Sequence, residues 1–292
     1  MKQSDNIRLI FFGGSKYVLP IIQALKSTKS RFNLKLVITT EQNLTDAIPT
    51  YCIKNKTPYL SIKQFNNLIM QTIKKADASV AVLANFGIIV PADILNLFPY
   101  GIINVHPSLL PKYRGSTPVQ TAILNGDKTT GVTLIKLDNE VDHGPILAQT
   151  SEPIAIDDTA ESLYKKLFKI GADLIEENLK KYLDGQIKLK EQDHSKATFT
   201  KILTRADGYF EVNNLPSKEK IDRIIRAYYP WPGVWTKLRF VRDSTPGVDA
   251  QKIIKLLPEN KIQVEGKKAM NYKDFINGYK EGKEILKKLN FI

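Results

Sequence analysis

Residues 102–115 read IINVHPSLLPKYRG, an apolar stretch followed by a polar loop that two prolines bracket. Residues 102–105 are rich in apolar, β-branched side chains, namely Ile102, Ile103 and Val105, which predicts a short buried β-strand. Because side chains two residues apart in a strand point to the same face, Asn104 and His106 project together at the carboxyl end of this strand. Open α/β sheets bind their ligands beyond the carboxyl ends of parallel strands. The stretch therefore predicts a ligand-binding edge of such a sheet.

Outward from this strand, short apolar runs alternate with segments of helical spacing. The predicted strands are residues 7–12, 34–39, 79–83 and 102–105, and the predicted helices are residues 18–25, 44–54 and 64–74. This alternation predicts an α/β fold with βαβ units and a mostly parallel, twisted sheet. Residues 131–137 and 146–156 are two more strand candidates joined by a loop, so we expect them to extend the sheet in antiparallel fashion.

The rest of the chain has a different pattern. Residues 159–183 predict a long amphipathic helix that ends at Gly185. Short strand candidates at residues 234–241, 251–257 and 261–264 follow a Pro-Trp-Pro-Gly turn and predict a small barrel or sandwich. Residues 184–201 are polar and aperiodic, and a linker belongs there. We therefore expect one domain over residues 1–188, a linker over 189–205 and a smaller domain over 206–292.

Composition excludes several classes of protein. The 292 residues are 42% hydrophobic and 25% charged, which is typical of a globular chain. The sequence contains no apolar run of the roughly 18 residues that a membrane span needs. Cys52 is the only cysteine, which excludes a disulfide framework and a cysteine-based zinc site. We expect a cytoplasmic protein.

The charge is strongly basic and unevenly distributed. The formal net charge is +13, and residues 193–292 include 20 basic and 12 acidic side chains. A surface that binds a polyanion therefore belongs in the last third of the chain, unless the lysines serve solubility alone.

A second polar cluster, residues 137–145, lies in the loop between the last two strands of the predicted sheet. Its Asp142 carboxylate has the reach to hydrogen-bond His106 and fix the tautomer of that ring. An amide, an imidazole and a carboxylate together suit stabilisation of a tetrahedral oxyanion and proton movement in acyl transfer to an amine. Taken singly, these residues also fit a strand-end amide, a satisfied histidine and a turn carboxylate. Their spacing does not name a substrate.

Several motifs, in this order along the chain, resemble the folate-dependent formyltransferases. The central motif is Asn104-Val105-His106-Pro107-Ser108-Leu109-Leu110-Pro111-Lys112-Tyr113-Arg114-Gly115, and the acidic loop carries Asp142-His143-Gly144-Pro145. Smaller matches are Pro118-Val119-Gln120, Gly131-Val132-Thr133, Thr200-Lys201-Ile202, residues 227–236 and Gly266-Lys267-Lys268-Ala269-Met270. The resemblance covers almost the whole chain.

This resemblance implies a Rossmann-like formyltransferase domain and a smaller C-terminal β-barrel domain like the OB fold. It implies 10-formyltetrahydrofolate as donor, the α-amine of initiator methionyl-tRNA as acceptor and no metal. Asn104, His106 and Asp142 match the catalytic positions. The positions implied to bind the folate are Phe86, Gly87, Ile88, Ile89, Val90, Ser108, Leu109, Leu110, Pro111, Asp138 and Glu140.

The chain departs from the family pattern after the second strand. Relatives that act on tRNA usually carry a basic, glycine-rich insertion there, whereas residues 39–50 hold two acids, no base and no glycine. We therefore expect the C-terminal domain to supply most of the tRNA affinity. The candidate contacts there and in the linker before it are Lys201, Arg205, Arg223, Arg226, Lys237, Arg239, Lys267 and Lys268. Lys112 and Arg114 lie beside the catalytic strand and are candidates for contact with the terminal nucleotides instead.

Two other functions stay open at this point. One is formyl transfer to a nucleotide-linked amino sugar, and the other is a catalytically idle RNA-binding protein. The turn Phe12-Gly13-Gly14-Ser15 lacks the GxGxxG pattern, so NAD binding is not expected. We expect a monomer.

Overall fold

The computed structural model describes residues 6–27, 31–212, 214, 216–241, 249–289 and 291, with the backbone alone at 239–241 and 249–250. The chain divides into two compact units. The first comprises residues up to 118 together with 129–153 and 164–201, and the second comprises residues 119–128, 154–163 and 202 onward. The domain limits expected at residues 188 and 206 stay a prediction. No helix in the described part of the chain has the length and apolar character to cross a membrane.

The first unit is built on a seven-stranded sheet, counted over the described residues. Its strands are β1 (Ile7–Gly13), β2 (Phe32–Thr39), β3 (Tyr59–Ser61), β4 (Val80–Ala84), β5 (Ile102–His106), β6 (Thr129–Lys136) and β7 (Ile146–Pro153). They follow the order β3-β2-β1-β4-β5-β6-β7. The first five are parallel, while β6 and β7 are antiparallel to their neighbours. The Rossmann-like α/β fold with an antiparallel extension is thus confirmed.

Six helices are described as far as residue 183: α1 (Leu19–Lys26), α2 (Ala47–Lys54), α3 (Asn67–Ala76), α4 (Ala92–Leu95), α5 (Pro118–Asn125) and α6 (Ala160–Leu183). Helix α3 shows why the chain folds locally as it does. The Asn66 side chain accepts a hydrogen bond from the Ile69 backbone at its start, and Asp77 ends it in the left-handed conformation. Ile69 and Ile73, four residues apart, bury one face of the helix in the core.

The core on one face of the sheet is aromatic. Phe12 of β1 packs against Phe65, Phe86 and Phe98, with ring centroids 5.4–6.3 Å away. Gly171 of α6 approaches β5 closely, since a Cβ at this glycine would lie 2.6 Å from Val105 Cγ1. Val105 therefore faces α6, and its neighbours Asn104 and His106 face the opposite side of the sheet.

The second unit contains a four-stranded antiparallel sheet, counted over the described residues. Strands β8 (Val234–Val241), β9 (Asp249–Leu257), β10 (Lys261–Val264) and β11 (Met270–Asn271) lie in the order β11-β10-β9-β8. Helices α7 (Lys218–Ala227), α8 (Tyr272–Gly278) and α9 (Gly282–Lys288) accompany them. The strands agree with the sequence-based expectation of a β-rich C-terminal domain, whereas the three helices were not expected.

Candidate active site

Strand β5 delivers two polar side chains into a buried position. Asn104 is 6% and His106 is 4% exposed, and both lie next to the loop that follows β6. Buried polar groups are costly unless they are hydrogen-bonded, so their partners define the site.

Asp142 is the common partner of the cluster. Its Oδ1 accepts a hydrogen bond from Asn104 Nδ2 at 3.0 Å and lies 3.4 Å from His106 Nδ1. Its Oδ2 accepts a bond of 2.7 Å from the backbone N–H of Gly115. The structure therefore brings together the three residues that the sequence predicts to be catalytic.

The partners of His106 restrict its protonation. Its Nε2 lies 2.9 Å from the Tyr113 carbonyl, and its Nδ1 faces the Asp142 carboxylate. Both partners accept hydrogen bonds, so the ring satisfies both when each nitrogen carries a proton. With a proton on each nitrogen, the ring and the Asn104 amide would give the site two types of donor for a developing oxyanion.

The segment that follows α6 is bound to both loops of the site. Lys190 exchanges two backbone hydrogen bonds with Ile146, at 2.7 and 2.9 Å. Farther along, the Thr198 carbonyl accepts from Arg114 N, and Thr200 N donates to the Arg114 carbonyl, each at 2.8 Å. Gln192 lies between these contacts and reaches the backbone of the Asp142 loop. The sequence analysis missed Gln192, since its polar surroundings there resemble those of a linker.

The candidate folate-binding residues in the segment after β4 are divided between the core and the surface. The Phe86 side chain is buried against Phe12 and Phe65. Ile88 and Val90 are half-buried and pack against the same core. Ile89 is 80% exposed. Gly87 has a φ of +76°, and open space lies where a side chain would begin.

The candidate folate-binding residues near the other two loops have defined partners. Ser108 Oγ donates to the Lys112 carbonyl at 2.7 Å, and Leu110 N donates to Thr133 Oγ1 at 3.1 Å. Leu110 is buried, whereas Leu109 and Pro111 are half-buried. Asp138 Oδ2 lies 2.7 Å from His143 Nδ1, and Glu140 is exposed.

Among the candidate tRNA contacts of the first unit, Lys112 and Lys201 are exposed. Arg114 differs, because it is 3% exposed and its Nη2 donates to Gln192 Oε1 at 2.8 Å. Its burial leaves it no surface for a phosphate group. The burial of Arg114 therefore argues against the predicted contact with tRNA.

In the second unit, the exposed candidates are Arg205, Lys237, Lys267 and Lys268. Arg205 lies over the Trp235 ring, 5.4 Å from its centroid. Arg223 is half-buried, and its Nε has no hydrogen-bond partner among the residues that the structure describes. Arg226 is largely buried and bonds to the Asp222 carboxylate and the Asp158 carbonyl. The side chain of Arg239 lies outside the described residues.

Comparison with known proteins identifies the family of the chain. The formyl transferase family model matches residues 6–179. The chain belongs to this family, as the motifs led us to expect.

Among its relatives is the methionyl-tRNA formyltransferase of Thermodesulfovibrio yellowstonii, which is 33% identical over 93% of this chain and 96% of its own length. The methionyl-tRNA formyltransferase of Roseiflexus sp. (strain RS-1) is 48% identical over 55% of this chain, and the match spans about half, 49%, of the Roseiflexus protein. A solved sugar N-formyltransferase from Shewanella sp. FDAARGOS_354 shares the fold, with a TM-score of 0.65 and 21% identity over 87% of this chain and 98% of that one.

Proposed function

We propose that the chain transfers a formyl group from 10-formyltetrahydrofolate to the α-amine of initiator methionyl-tRNA. The observation that carries the proposal is the Asp142 carboxylate in contact with both Asn104 and His106 beside β5. The nearly full-length similarity to the Thermodesulfovibrio yellowstonii protein supports the choice of acceptor.

The residues around Gly87 fit a folate. At this turn the backbone faces open space, and Ile89 presents an exposed apolar side chain. Flat, apolar groups with a polar edge bind where apolar side chains adjoin accessible backbone donors and acceptors. Residues 86–90, 108–111, Asp138 and Glu140 would hold the folate, which supplies the formyl carbon when bound.

The buried cluster accounts for the chemistry. A neutral amine forms the new C–N bond at the formyl carbon, and the bond from that carbon to the donor nitrogen breaks. Asn104 and the protonated His106 stabilise negative charge on the formyl oxygen. Asp142 orients His106 and relays the proton from the attacking amine toward the departing nitrogen.

The basic surface of the second unit supplies the tRNA affinity in this proposal. The contacts proposed in this unit are Arg205, Arg223, Arg226, Lys237, Arg239, Lys267 and Lys268, and Lys112 and Lys201 of the first unit would add to them. An OB-like barrel over residues 206–292, after a linker at 189–205, would suit this role because OB folds often bind nucleic acid. We also propose that the protein is a monomer and acts in the cytoplasm.

One observation favours a nucleotide-linked amino sugar as acceptor instead. Residues 39–50 lack the basic insertion, and the side chains of their two acids accept hydrogen bonds from nearby backbone N–H groups. Glu41 accepts from the backbone of Ser15 at 3.1 Å and of Ile48 at 2.7 Å. Asp46 accepts from the Gln42 and Asn43 backbones at 3.1 and 2.9 Å. This loop therefore offers no cation to an acceptor stem.

The test is an assay of formyl transfer from 10-formyltetrahydrofolate to methionyl-tRNA beside a panel of nucleotide-linked amino sugars. We expect formyl-methionyl-tRNA as the product. Formylation of a sugar alone would establish the second candidate, and tRNA binding without transfer to either acceptor would indicate an idle RNA-binding protein.

The same assay tests the expected independence from metal ions. Across the described residues, no group of three or more His, Cys, Asp and Glu side chains is arranged to hold a metal ion. We predict that transfer survives exhaustive treatment with EDTA. Loss of activity that zinc or magnesium restores would contradict this prediction.

A further inference from the structure

Gln192 holds the backbone of the loop that carries Asp142. It is 5% exposed, and its Nε2 lies 2.9 Å from the carbonyl oxygen of Asp142, 3.0 Å from that of His143 and 2.7 Å from that of Gly144. One side-chain amide therefore binds three consecutive carbonyls. An amide nitrogen carries two hydrogens, so these hydrogens are shared among the three acceptors.

Arg114 fixes the orientation of this amide. Its Nη2 donates to Gln192 Oε1 at 2.8 Å and also lies 2.8 Å from His194 Nδ1. A guanidinium has no acceptor, so the amide oxygen must face Arg114 and the amide nitrogen must face the carbonyls. A hydrogen bond from a cation also polarises the amide and strengthens its donors. The buried charge of Arg114 thus acts on the loop through Gln192.

The backbone of the loop needs such support. Asp142 has a φ of +49°, a left-handed conformation that non-glycine residues seldom adopt. At Gly144 the chain passes so close to β6 that a Cβ would lie 1.9 Å from the Lys136 carbonyl oxygen. The direction of the Asp142 side chain depends on this backbone. A small change in the loop would move the carboxylate away from Asn104 and His106.

We propose that Gln192, oriented by Arg114, is a positioning residue that holds the Asp142 carboxylate against Asn104 and His106. This inference rests on the proposed formyl transfer and extends it beyond the three residues that the motifs identify. Because the reacting groups must be placed to a fraction of an ångström, loss of the support lowers the rate of the chemical step more than it lowers binding.

The test compares Gln192→Glu and Gln192→Met with the parent chain. The glutamate keeps the size of the side chain and an oxygen for Arg114 but has no hydrogen for the carbonyls. The methionine fills similar space without hydrogen bonds. Gln186→Glu is the matched control, since Gln186 is exposed in the same unit and the substitution adds the same charge. We expect kcat to fall about 10- to 100-fold in both Gln192 variants, with KM for folate and acceptor changed less than about threefold.

A second measurement does not require activity. The chain contains three histidines, His106, His143 and His194. Each contacts the Asp142 loop or Arg114: His106 faces Asp142, His143 belongs to the loop, and His194 meets Arg114. Histidine labelled with ¹⁵N therefore reports on this cluster alone. We expect the ring signals of His106 and His143 to shift in both Gln192 variants and to stay in place in Gln186→Glu.

The outcomes separate this inference from the proposed function. If the parent chain forms no formyl product, the proposed function fails, and the histidine signals still decide whether Gln192 holds the loop. Unchanged kcat and unchanged histidine signals in folded Gln192 variants would overturn the inference. Loss of the fold in both variants would also overturn it, because Gln192 would then serve the fold as a whole rather than the position of Asp142.

Discussion

The residues around Asp142 and the basic surface of the second unit differ in how their polar groups are exposed to solvent. Asn104, His106 and Asp142 are each at least nine-tenths buried and are bonded to one another or to the backbone. Lys237, Lys267 and Lys268 are exposed to solvent. A buried polar group loses its hydration and depends on fixed partners, whereas an exposed lysine keeps its water. Single changes should therefore be severe in the cluster and mild on the surface.

Arg114 shows that charge alone does not distinguish the two regions. It lies two residues from Lys112 in the sequence, but Arg114 is buried while Lys112 is exposed. Its guanidinium also lies over the Phe199 ring, 5.9 Å from the centroid. The buried Arg114 therefore fixes groups in the protein interior, whereas the exposed Lys112 is accessible to solvent or a ligand.

The largest effect is expected from Asp142→Asn. The substitution keeps the size of the side chain but removes the negative charge that faces His106 and places an NH₂ group near other donors. We predict that kcat falls about 10²- to 10³-fold, the range seen when one group that stabilises a transition state is lost. Single-turnover formyl transfer measures it, with circular dichroism as the control for folding. Turnover within tenfold of the parent would remove Asp142 from the catalytic set.

A smaller effect is expected from Asn104→Ala. It removes one hydrogen-bond donor from the proposed oxyanion site and leaves the contacts of Asp142 with His106 and Gly115 in place. We predict a loss of about 10²-fold in kcat with little change in KM for the folate. A variant whose KM rises while kcat is unchanged would show that Asn104 binds the folate instead.

Gly144→Ala tests whether the loop itself is as tightly constrained as its contacts indicate. A Cβ cannot remain 1.9 Å from the Lys136 carbonyl oxygen, so the backbone must shift. We predict that the free energy of unfolding decreases by about 1–3 kcal/mol, as for other overpacked sites. Gly278→Ala in the second unit is the control, since among the described residues a Cβ there would meet no atom within 4 Å beyond its chain neighbours and its own helix backbone. Equal free energies of unfolding for the two variants would show that the loop is not tightly constrained at Gly144.

The exposed lysines should show the smallest effects. We predict that Lys267→Gln with Lys268→Gln weakens tRNA binding a few-fold and flattens its salt dependence by roughly one unit of slope for each true phosphate contact. The matched control is Lys74→Gln with Lys75→Gln, another adjacent pair of exposed lysines. Filter binding at several salt concentrations measures the slopes. If the two pairs behave alike, Lys267 and Lys268 are solvated surface.

We expect the thiol of Cys52 to keep the same reactivity in all of the variants above. Burial raises the pKa of its thiol to about 11, and the nearby Lys26 opposes this only in part. The folded protein holds this proton more tightly than the unfolded chain does, so the contribution of Cys52 to the free energy of unfolding is constant below about pH 9 and is lost as the pH rises through 11. We predict slow reaction with a thiol reagent at pH 8 in the native protein and fast reaction after denaturation. Fast native labelling would show that helix α2 opens.

The sequence predicted what depends on side-chain pattern. Alternating apolar runs revealed the sheet, and the spacing of Asn104 and His106 placed both on one face of β5. Residues 218–227 were missed as a helix, although Ile221 and Ile225 are buried four residues apart. That spacing was available in the sequence and would have identified α7.

Other features had no signal in a single sequence. Gln192 binds main-chain carbonyls, which every residue possesses, so its partners leave no motif. Arg114 was predicted to bind tRNA because the sequence shows its charge but does not show its burial. The left-handed conformation of Asp142 arises from tertiary contacts rather than from the residue type, and a pattern of residue types does not encode it.

The bonds from residues 190–200 to the site have a consequence for how the chain is made. When Leu183 has been added during synthesis, all seven strands of the large sheet and the whole of α6 have been translated. The donors that hold the Asp142 loop come later, at Gln192, and the pairing of Thr198 and Thr200 with Arg114 later still. A nascent chain that has formed its sheet therefore still lacks the side chain that holds the Asp142 loop. The loop reaches its final set of contacts only after residue 200 has been translated, later than the sheet that bears the site.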